Sequence, residues 1–180
     1  MGLFDKKYCD ICGDKIGLLG NRKLEDGNMC KDCARLISPW LTGRKGYTVE
    51  EMKEHLAYRE ENKEKVQAFS ATKVLGLETK VYIDEDNGQF LVYNGRNFKE
   101  GNPDVLDFSQ ITGCRIDIDE HEHEIYREGP DGEELSYDPP RYERTYDFEV
   151  ILNVNSPWFS EINIVVESSD VEKYSHEYRQ

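Results

Sequence analysis

Two cysteine pairs decide the fold of this chain: Cys9-Asp-Ile-Cys12 and, 17 residues later, Cys30-Lys-Asp-Cys33. Two thiolates separated by two residues can converge on one cation from a tight turn. Two such turns complete a tetrahedron with metal–sulfur distances of about 2.3 Å. The spacing therefore predicts a structural zinc site formed by these four cysteines. Because four thiolates leave no open coordination position, this metal is not expected to be catalytic.

Three other interpretations of the cysteines are open: two disulfides, an iron site of the rubredoxin kind, or a dithiol redox centre. Disulfides are disfavoured because the N-terminus Met1-Gly-Leu-Phe-Asp lacks the apolar run of a secretion signal. A redox dithiol would need one pair of cysteines rather than two pairs at metal spacing. Zinc is therefore the predicted cofactor, and iron is the alternative.

The sequence around the cysteines predicts the local structure of this metal module. Gly13 permits the backbone turn whose amides can donate to the sulfurs. Residues 16–24 and the Asp26-Gly27 turn predict a short hairpin between the pairs. The second pair opens a short helix that ends at Ser38-Pro39. A knuckle, a hairpin and a pair at a helix start make a treble clef, with a zinc ribbon as the alternative.

A connecting helix is predicted over residues 48–68. Thr48-Val-Glu-Glu51 is a capping box, in which each end residue can bond the backbone amide of the other. An apolar stripe starts the helix, but Arg59 and Lys63 then occupy that stripe. We therefore expect the middle of this helix to be solvated, and the units on either side to separate near Glu61.

Beyond the helix the hydrophobic period becomes two, which indicates strands. Residues 80–84 and 89–93 flank Asp86-Asn87-Gly88, where an Asn-Gly pair suits a tight hairpin. Further strands are predicted at residues 105–108, 114–127, 142–154 and 162–166, and the alternation along 142–154 predicts that one face of that strand is buried. About seven strands joined by Gly, Asn and Pro turns predict an antiparallel barrel or sandwich, which makes the fold class α+β. Ser169-Asp-Val-Glu172 is a second capping box, and it predicts a C-terminal helix carrying Tyr174 and Tyr178.

The stretch from Cys9 to Cys33, with its Gly-Leu-Leu-Gly-Asn core at residues 17–21, resembles a four-cysteine N-terminal domain of uncharacterised bacterial and phage proteins. In that family a Glu- and Lys-rich helix and a β-rich region follow, as they do here. The β-rich region and its closing helix are similar to pleckstrin-homology-like (PH-like) domains in strand count and order. Neither resemblance implies a reaction, and both imply binding.

Charge is unevenly distributed along the chain, which has 37 acidic and 23 basic residues and a net charge of −14. Residues 1–47 have a net charge of +3, residues 48–68 of −2 and residues 69–180 of −15. The last segment should repel nucleic acid and anionic lipid. Contact with a polyanion would have to use cations of the first segment, and the candidates are Lys15, Arg22, Lys23, Lys31, Arg35, Arg44 and Lys45.

Other candidate sites are weaker. His121 and His123 share one strand face with Asp117 and Asp119, and we interpret that face as solvated rather than as a second metal site. Cys114 is interpreted as a buried core thiol. Trp158 and Phe159 are either core side chains buried under their loop or an exposed partner-binding patch, and the core interpretation is favoured.

These observations predict three parts: a zinc module at residues 1–47, a connecting helix at 48–68 and an acidic PH-like β domain at 69–180. The function expected is that of a cytoplasmic, non-enzymatic adaptor that binds another protein through the β domain, with Trp158 and Phe159 as the candidate contact. Nucleic-acid binding through the basic zinc module is the alternative. An enzyme built around His121 and His123 is disfavoured, and no membrane partner is expected.

Overall fold

A computed structural model of the 180-residue chain describes residues 6–76, 79–166 and 171–172. The N-terminal metal module consists of two small antiparallel pairs and one helical turn. Strand β1 (Lys7–Tyr8) pairs with β2 (Lys15–Ile16), and β3 (Arg22–Lys23) pairs with β4 (Asn28–Met29). Helix α1 (Lys31–Ala34) follows β4 directly. The turn that holds the first cysteine pair, the hairpin and the helix start follow one another in the predicted order.

Helix α2 (Val49–Ala68) begins at the predicted position. The Glu51 amide donates to the Thr48 hydroxyl at 3.2 Å, and the Thr48 amide donates to the Glu51 carboxylate at 2.7 Å, so the capping box is confirmed. The metal module supports the same helix start, because the Val49 amide donates to the Asp26 carboxylate at 2.8 Å. At Gly27 a Cβ would lie 2.5 Å from the Val49 side chain, so only glycine permits this close approach.

The first β-sheet has four antiparallel strands in the order β5-β6-β7-β8. They are β5 (Lys73–Leu75), β6 (Lys80–Asp84), β7 (Gln89–Tyr93) and β8 (Leu106–Asp107). The predicted hairpin of β6 and β7 is confirmed, and Gly88 in its turn has the positive φ of 65°. Between β7 and β8 lies the short helix α3 (Phe98–Gly101).

The second sheet is built around one long strand. Strand β10 (Glu134–Val154) pairs along its length with β9 (Ile111–Glu128), and its other edge pairs with β11 (Glu161–Val165) and β12 (Val171–Glu172). Because β11 is far shorter than β10, the outer parts of β9 and β10 extend beyond the packed sheets as an exposed two-stranded ribbon.

Three predictions about this region are corrected. Both sheets are open within the described residues, so the PH-like barrel is not confirmed. Only part of strand 142–154 is covered: Tyr146 is buried, but Tyr142 on the outer ribbon is 55% exposed because no layer packs there. Val171 and Glu172 pair as a strand with β10, where a C-terminal helix was expected, since pairing with β10 overrides the local capping signal. The remainder of that predicted helix lies outside the described residues.

Three apolar clusters form the core of the described part of the chain. Helix α2 contributes to the first and third clusters, and Trp158 packs against the first and second. The first cluster is the interior of the metal module together with Met52 and Leu56 of α2. The second lies between the two sheets. The third packs Val66 of α2 against the first sheet. The Trp158 ring contacts both the first and the second cluster, so the metal module and the β region share a continuous core.

The prediction that the middle of α2 is solvated was wrong. His55, Arg59 and Asn62 are 0%, 6% and 1% exposed. The Arg59 guanidinium pairs with the Asp104 carboxylate at 2.7 Å, and Asn62 bonds the loop before β8 through the Pro103 carbonyl and the Val105 amide. The buried face of α2 is therefore continuous along the helix. The side chains at its centre are polar, and their bonding partners lie far away in the sequence.

The C-terminal end of α2 is held by a lysine. The Lys99 ammonium of α3 donates to the carbonyls of Val66, Gln67 and Phe69 at 2.7 to 2.8 Å. These carbonyls have no partner inside the helix, and a cation also complements the negative end of the helix dipole. Both ends of α2 are thus fixed by residues outside it. No helix in the described ranges has the length and apolar character needed to cross a bilayer.

We expect Asp104→Asn to destabilise the protein by about 3 to 5 kcal/mol, because it leaves the buried Arg59 guanidinium without its counter-charge. The matched control is Lys63→Gln, which breaks the exposed pair between Lys63 and Glu60 on the same helix and should cost less than about 1 kcal/mol. Urea denaturation of both variants measures the difference. Equal midpoints for the two variants would contradict a central role for the buried pair.

His55 should make the stability depend on pH. Burial and the nearby Arg59 charge lower the pKa of His55 from 6.5 to about 4. Between pH 6.5 and pH 4, His55 therefore binds more protons in the unfolded state than in the folded state. The stabilisation of the fold by neutral His55 is complete above pH 6.5 and is lost as the pH falls towards 4. The full shift corresponds to roughly 3 kcal/mol.

The matched variant for this prediction is His55→Gln, which keeps an acceptor for the Ser38 amide and removes the titration. The free energy of unfolding, measured from pH 7 to pH 4.5 at equal metal loading, should fall less steeply in this variant than in the natural chain. Parallel pH profiles would show that His55 is not the titrating group.

Candidate metal centre

The four predicted cysteines meet at one point of the metal module. Cys9 and Cys12 lie in the turn after β1, and Cys30 is the N-cap of α1, whose single turn contains Cys33. Their Sγ atoms all lie within 4.8 Å of one another. Cys9, Cys30 and Cys33 are buried, whereas Cys12 is exposed, so the centre lies just below the surface.

The distances between sulfurs fit a tetrahedral metal site. Cys9 Sγ is 3.9 Å from Cys33 Sγ, and Cys12 Sγ is 3.8 Å from Cys30 Sγ. A tetrahedron with metal–sulfur bonds of about 2.3 Å has edges of about 3.8 Å. A disulfide would need sulfurs about 2.05 Å apart, and all five cysteines are free thiols. The geometry therefore favours a four-thiolate metal centre over two disulfides.

Backbone amides are aimed at the sulfurs. The Cys30 amide donates to Cys9 Sγ at 3.2 Å, and the Cys33 amide donates to Cys30 Sγ at 3.4 Å. The second bond also caps α1. The turn between the first two cysteines closes through Gly13, whose φ is 82° and whose amide donates to the Cys9 carbonyl at 2.8 Å. Such donors stabilise thiolates and fix their direction, as the surroundings of metal ligands do.

The acidities of the thiols differ within the cluster. Burial opposes ionisation of Cys9, but the amides of Cys12, Cys30 and Ile11 outweigh it and lower the pKa of this thiol to about 7. Burial, together with the three neighbouring thiols, raises the pKa of Cys33 well above its ordinary value. One thiolate therefore forms readily near neutral pH, whereas four together require a bound cation, so metal affinity should fall as the pH falls.

The structure does not bring the other predicted site residues to the metal centre. Phe159 is buried and Trp158 is half-buried against two core clusters, which agrees with core side chains rather than an exposed contact patch. Cys114 is exposed and not a core thiol, because it lies on β9 near the edge of the packed region. His121 and His123 are exposed on the ribbon, where His121 Nε2 lies 3.1 Å from the Asp147 carboxylate.

The seven cations of the nucleic-acid alternative lie on the surface of the metal module, but they are not equivalent. Four lysines and Arg35 are exposed, and Arg22 and Arg44 are half-buried; the lysines are Lys15, Lys23, Lys31 and Lys45. Arg35 pairs with Asp32 at 3.2 Å. Arg35 is therefore partly neutralised, whereas the four lysines are exposed to solvent.

A buried polar network was not foreseen. The Ser38 hydroxyl donates to the Asp104 carboxylate at 2.7 Å, and the Ser38 amide donates to His55 Nε2 at 3.0 Å. These three residue types also form hydrolytic triads, but here the serine hydroxyl bonds the carboxylate directly and not the imidazole. All three side chains are 2% exposed or less. The arrangement serves to join the metal module to α2 and the loop before β8.

The comparisons with known proteins bear on this module alone. Residues 7–55 match a family model described as Domain of unknown function (DUF4428). The matched stretch contains all four cysteines and the start of α2, which supports a four-cysteine N-terminal module. The bacterial or phage origin and the PH-like likeness of the β region stay predictions. No curated protein and no solved structure matches the chain.

Removal of one ligand should disrupt the module and weaken the rest of the protein. We expect Cys30→Ser to lose stoichiometric metal and to lower Tm, because a structural metal of this kind contributes on the order of 10 kcal/mol. The destabilisation should extend to α2 and the β region, since Met52 and Trp158 pack on the interior of the metal module.

The matched control for the ligand variant is Cys114→Ser, which removes an exposed thiol outside the cluster. It should retain one metal ion per chain and its Tm. Elemental analysis and thermal melts measure both variants. Equal metal content in the two would show that the four cysteines do not form the site.

Proposed function

We propose that this protein is a zinc-stabilised, non-enzymatic adaptor of the cytoplasm that binds another protein through its acidic β region. The four-thiolate cluster carries the first part of the proposal. It has four ligands at tetrahedral spacing and no place for a substrate, which suits a structural ion. Thiolates at this spacing favour zinc over the harder divalent cations.

The paired strands β9 and β10 support the second part at the inner end of their ribbon, where β11 and β12 also pair with β10. Asp117 lies directly opposite Glu149, and Asp119 lies directly opposite Asp147, so two adjacent cross-strand pairs carry like charges, and of the four carboxylates Asp147 lies 3.1 Å from His121 Nε2. Such pairs are unfavourable in an isolated sheet. A partner that places cations over this face would relieve the repulsion. The proposed contact surface, which we call the acidic ribbon face, is therefore formed by Asp117, Asp119, Asp147 and Glu149.

This assignment moves the contact surface away from Trp158 and Phe159. Phe159 is only 8% exposed, and Trp158 contacts His55 with ring centroids 4.8 Å apart. Substituting these aromatics would remove core contacts and not a docking surface. The acidic ribbon face, in contrast, tolerates substitution because it lies outside the apolar clusters.

The proposal is tested by capture from a lysate of the native host, with the metal-loaded full chain as bait. The variant Asp117→Asn/Asp119→Asn/Asp147→Asn should lose a partner that the natural chain retains, and salt should elute that partner because the contact is between opposite charges.

The control neutralises three exposed carboxylates on α2, as Glu50→Gln/Glu54→Gln/Glu61→Gln, and should retain the partner. Capture of the same proteins by the ribbon variant and the natural chain would refute the acidic ribbon face. Loss of the partner from the full-chain variant Lys15→Gln/Lys23→Gln, with retention by the ribbon variant, would place the function in the metal module.

The second candidate function is nucleic-acid binding through the metal module. The exposed positions of its lysines favour it. A duplex or single strand should then bind with an affinity that falls steeply as salt rises, and Lys15→Gln with Lys23→Gln should reduce that slope. The protein-binding proposal predicts no such affinity.

A further inference from the structure

Two leucines protrude from the metal module without a role in its core. Leu18 and Leu19 occupy the corners of a turn that the Gly20 amide closes on the Gly17 carbonyl at 3.0 Å. Their side chains are 92% and 88% exposed, the highest values among the exposed large apolar residues described. Turn corners usually carry polar residues or glycine, because apolar groups there remain in water. The neighbouring Ile16, by contrast, is buried in the module core.

Cations surround this turn. Arg22 Nη1 donates to the Leu19 carbonyl at 3.2 Å, so its guanidinium lies at the base of the turn. Lys15 and Lys31 line a recess of about 290 Å³ together with both leucines. The one carboxylate in that lining is Asp32, which Arg35 neutralises at 3.2 Å. The turn is therefore an apolar tip inside a positively charged rim.

An anionic bilayer surface fits this combination better than a protein or a nucleic acid. Two leucines offer far less area than the roughly 1,200 Å² that a stable protein interface buries. They suffice for insertion at the boundary of headgroups and acyl chains, where a small apolar group and nearby cations act together. A nucleic acid would use the cations but would leave the leucines in water.

The charge distribution of the whole chain would orient such a contact. Residues 69–180 carry 25 acidic and 10 basic side chains, so an anionic surface repels them. The same surface attracts the rim of the turn. The molecule should therefore approach an anionic bilayer with its metal module facing the lipid.

We propose that the turn at residues 17–20 is a membrane-docking tip, which inserts Leu18 and Leu19 into an anionic bilayer surface while Lys15, Arg22 and Lys31 contact lipid headgroups. This departs from the expectation of no membrane partner. It is independent of the proposed protein contact, which lies on the acidic ribbon face.

The test is co-sedimentation of the metal-loaded full chain with vesicles of phosphatidylcholine containing roughly 30% phosphatidylserine. The natural chain should bind these vesicles more tightly than vesicles of phosphatidylcholine alone, and less tightly as salt rises. Leu18→Ser/Leu19→Ser should weaken binding about a hundredfold, at roughly tenfold for each leucine. Lys15→Gln/Lys31→Gln should weaken it about fivefold for each lysine and reduce the dependence on salt.

The matched control is Leu75→Ser, which removes an exposed leucine on β5 and should leave vesicle binding unchanged. Metal content and Tm of each variant confirm that it is folded. The proposal is overturned if the natural chain ignores the anionic vesicles, or if the double leucine variant binds them equally well. It is also overturned if the natural chain binds a DNA duplex through the rim cations, with an affinity that falls as salt rises, and does not bind the vesicles.

Discussion

The buried ion pair between Arg59 and Asp104 is the interaction on which the arrangement of this protein depends. The guanidinium donates to the Leu36 and Asn102 carbonyls as well as to the carboxylate, and the carboxylate also accepts from Ser38 and Tyr58. A buried charge is tolerated only when its polar atoms are all engaged in this way. The pair therefore fixes the metal module, α2 and the loop before β8 in one relative position.

The metal centre and α2 depend on each other. The sulfur cluster orders a module that is too small to bury a large core, and the module then supplies Asp26 to the helix start and packs against Met52. Lys99 fixes the other end of the helix from α3. Helix α2 thus packs against the core of the metal module and the core of the first sheet, and it is not a connector exposed to water. A metal ion bound by the four thiols would in this way stabilise a β region whose described residues form no such cluster.

Two exposed surfaces that do not take part in this packing carry opposite charge. The metal module exposes an apolar turn with a cationic rim, and the ribbon of β9 and β10 exposes facing carboxylates. Neither surface contributes to the three apolar clusters, so the fold does not require either of them. Their separation along the chain allows the two proposed contacts, with lipid and with protein, to be made by one molecule without competition between charges.

The sequence by itself determined the features whose causes are local. The spacing of Cys9, Cys12, Cys30 and Cys33 predicted the metal cluster, the capping box placed the start of α2, and Asn87-Gly88 placed the turn of the first hairpin. Tertiary structure alone decided the rest. Arg59 is a surface residue by its chemistry, and its burial is favourable because Asp104, 45 positions along the chain, supplies the counter-charge. Likewise Val171 joins a strand because β10 has a free edge there. Such outcomes depend on partners distant in sequence, and a local pattern contains no information about them.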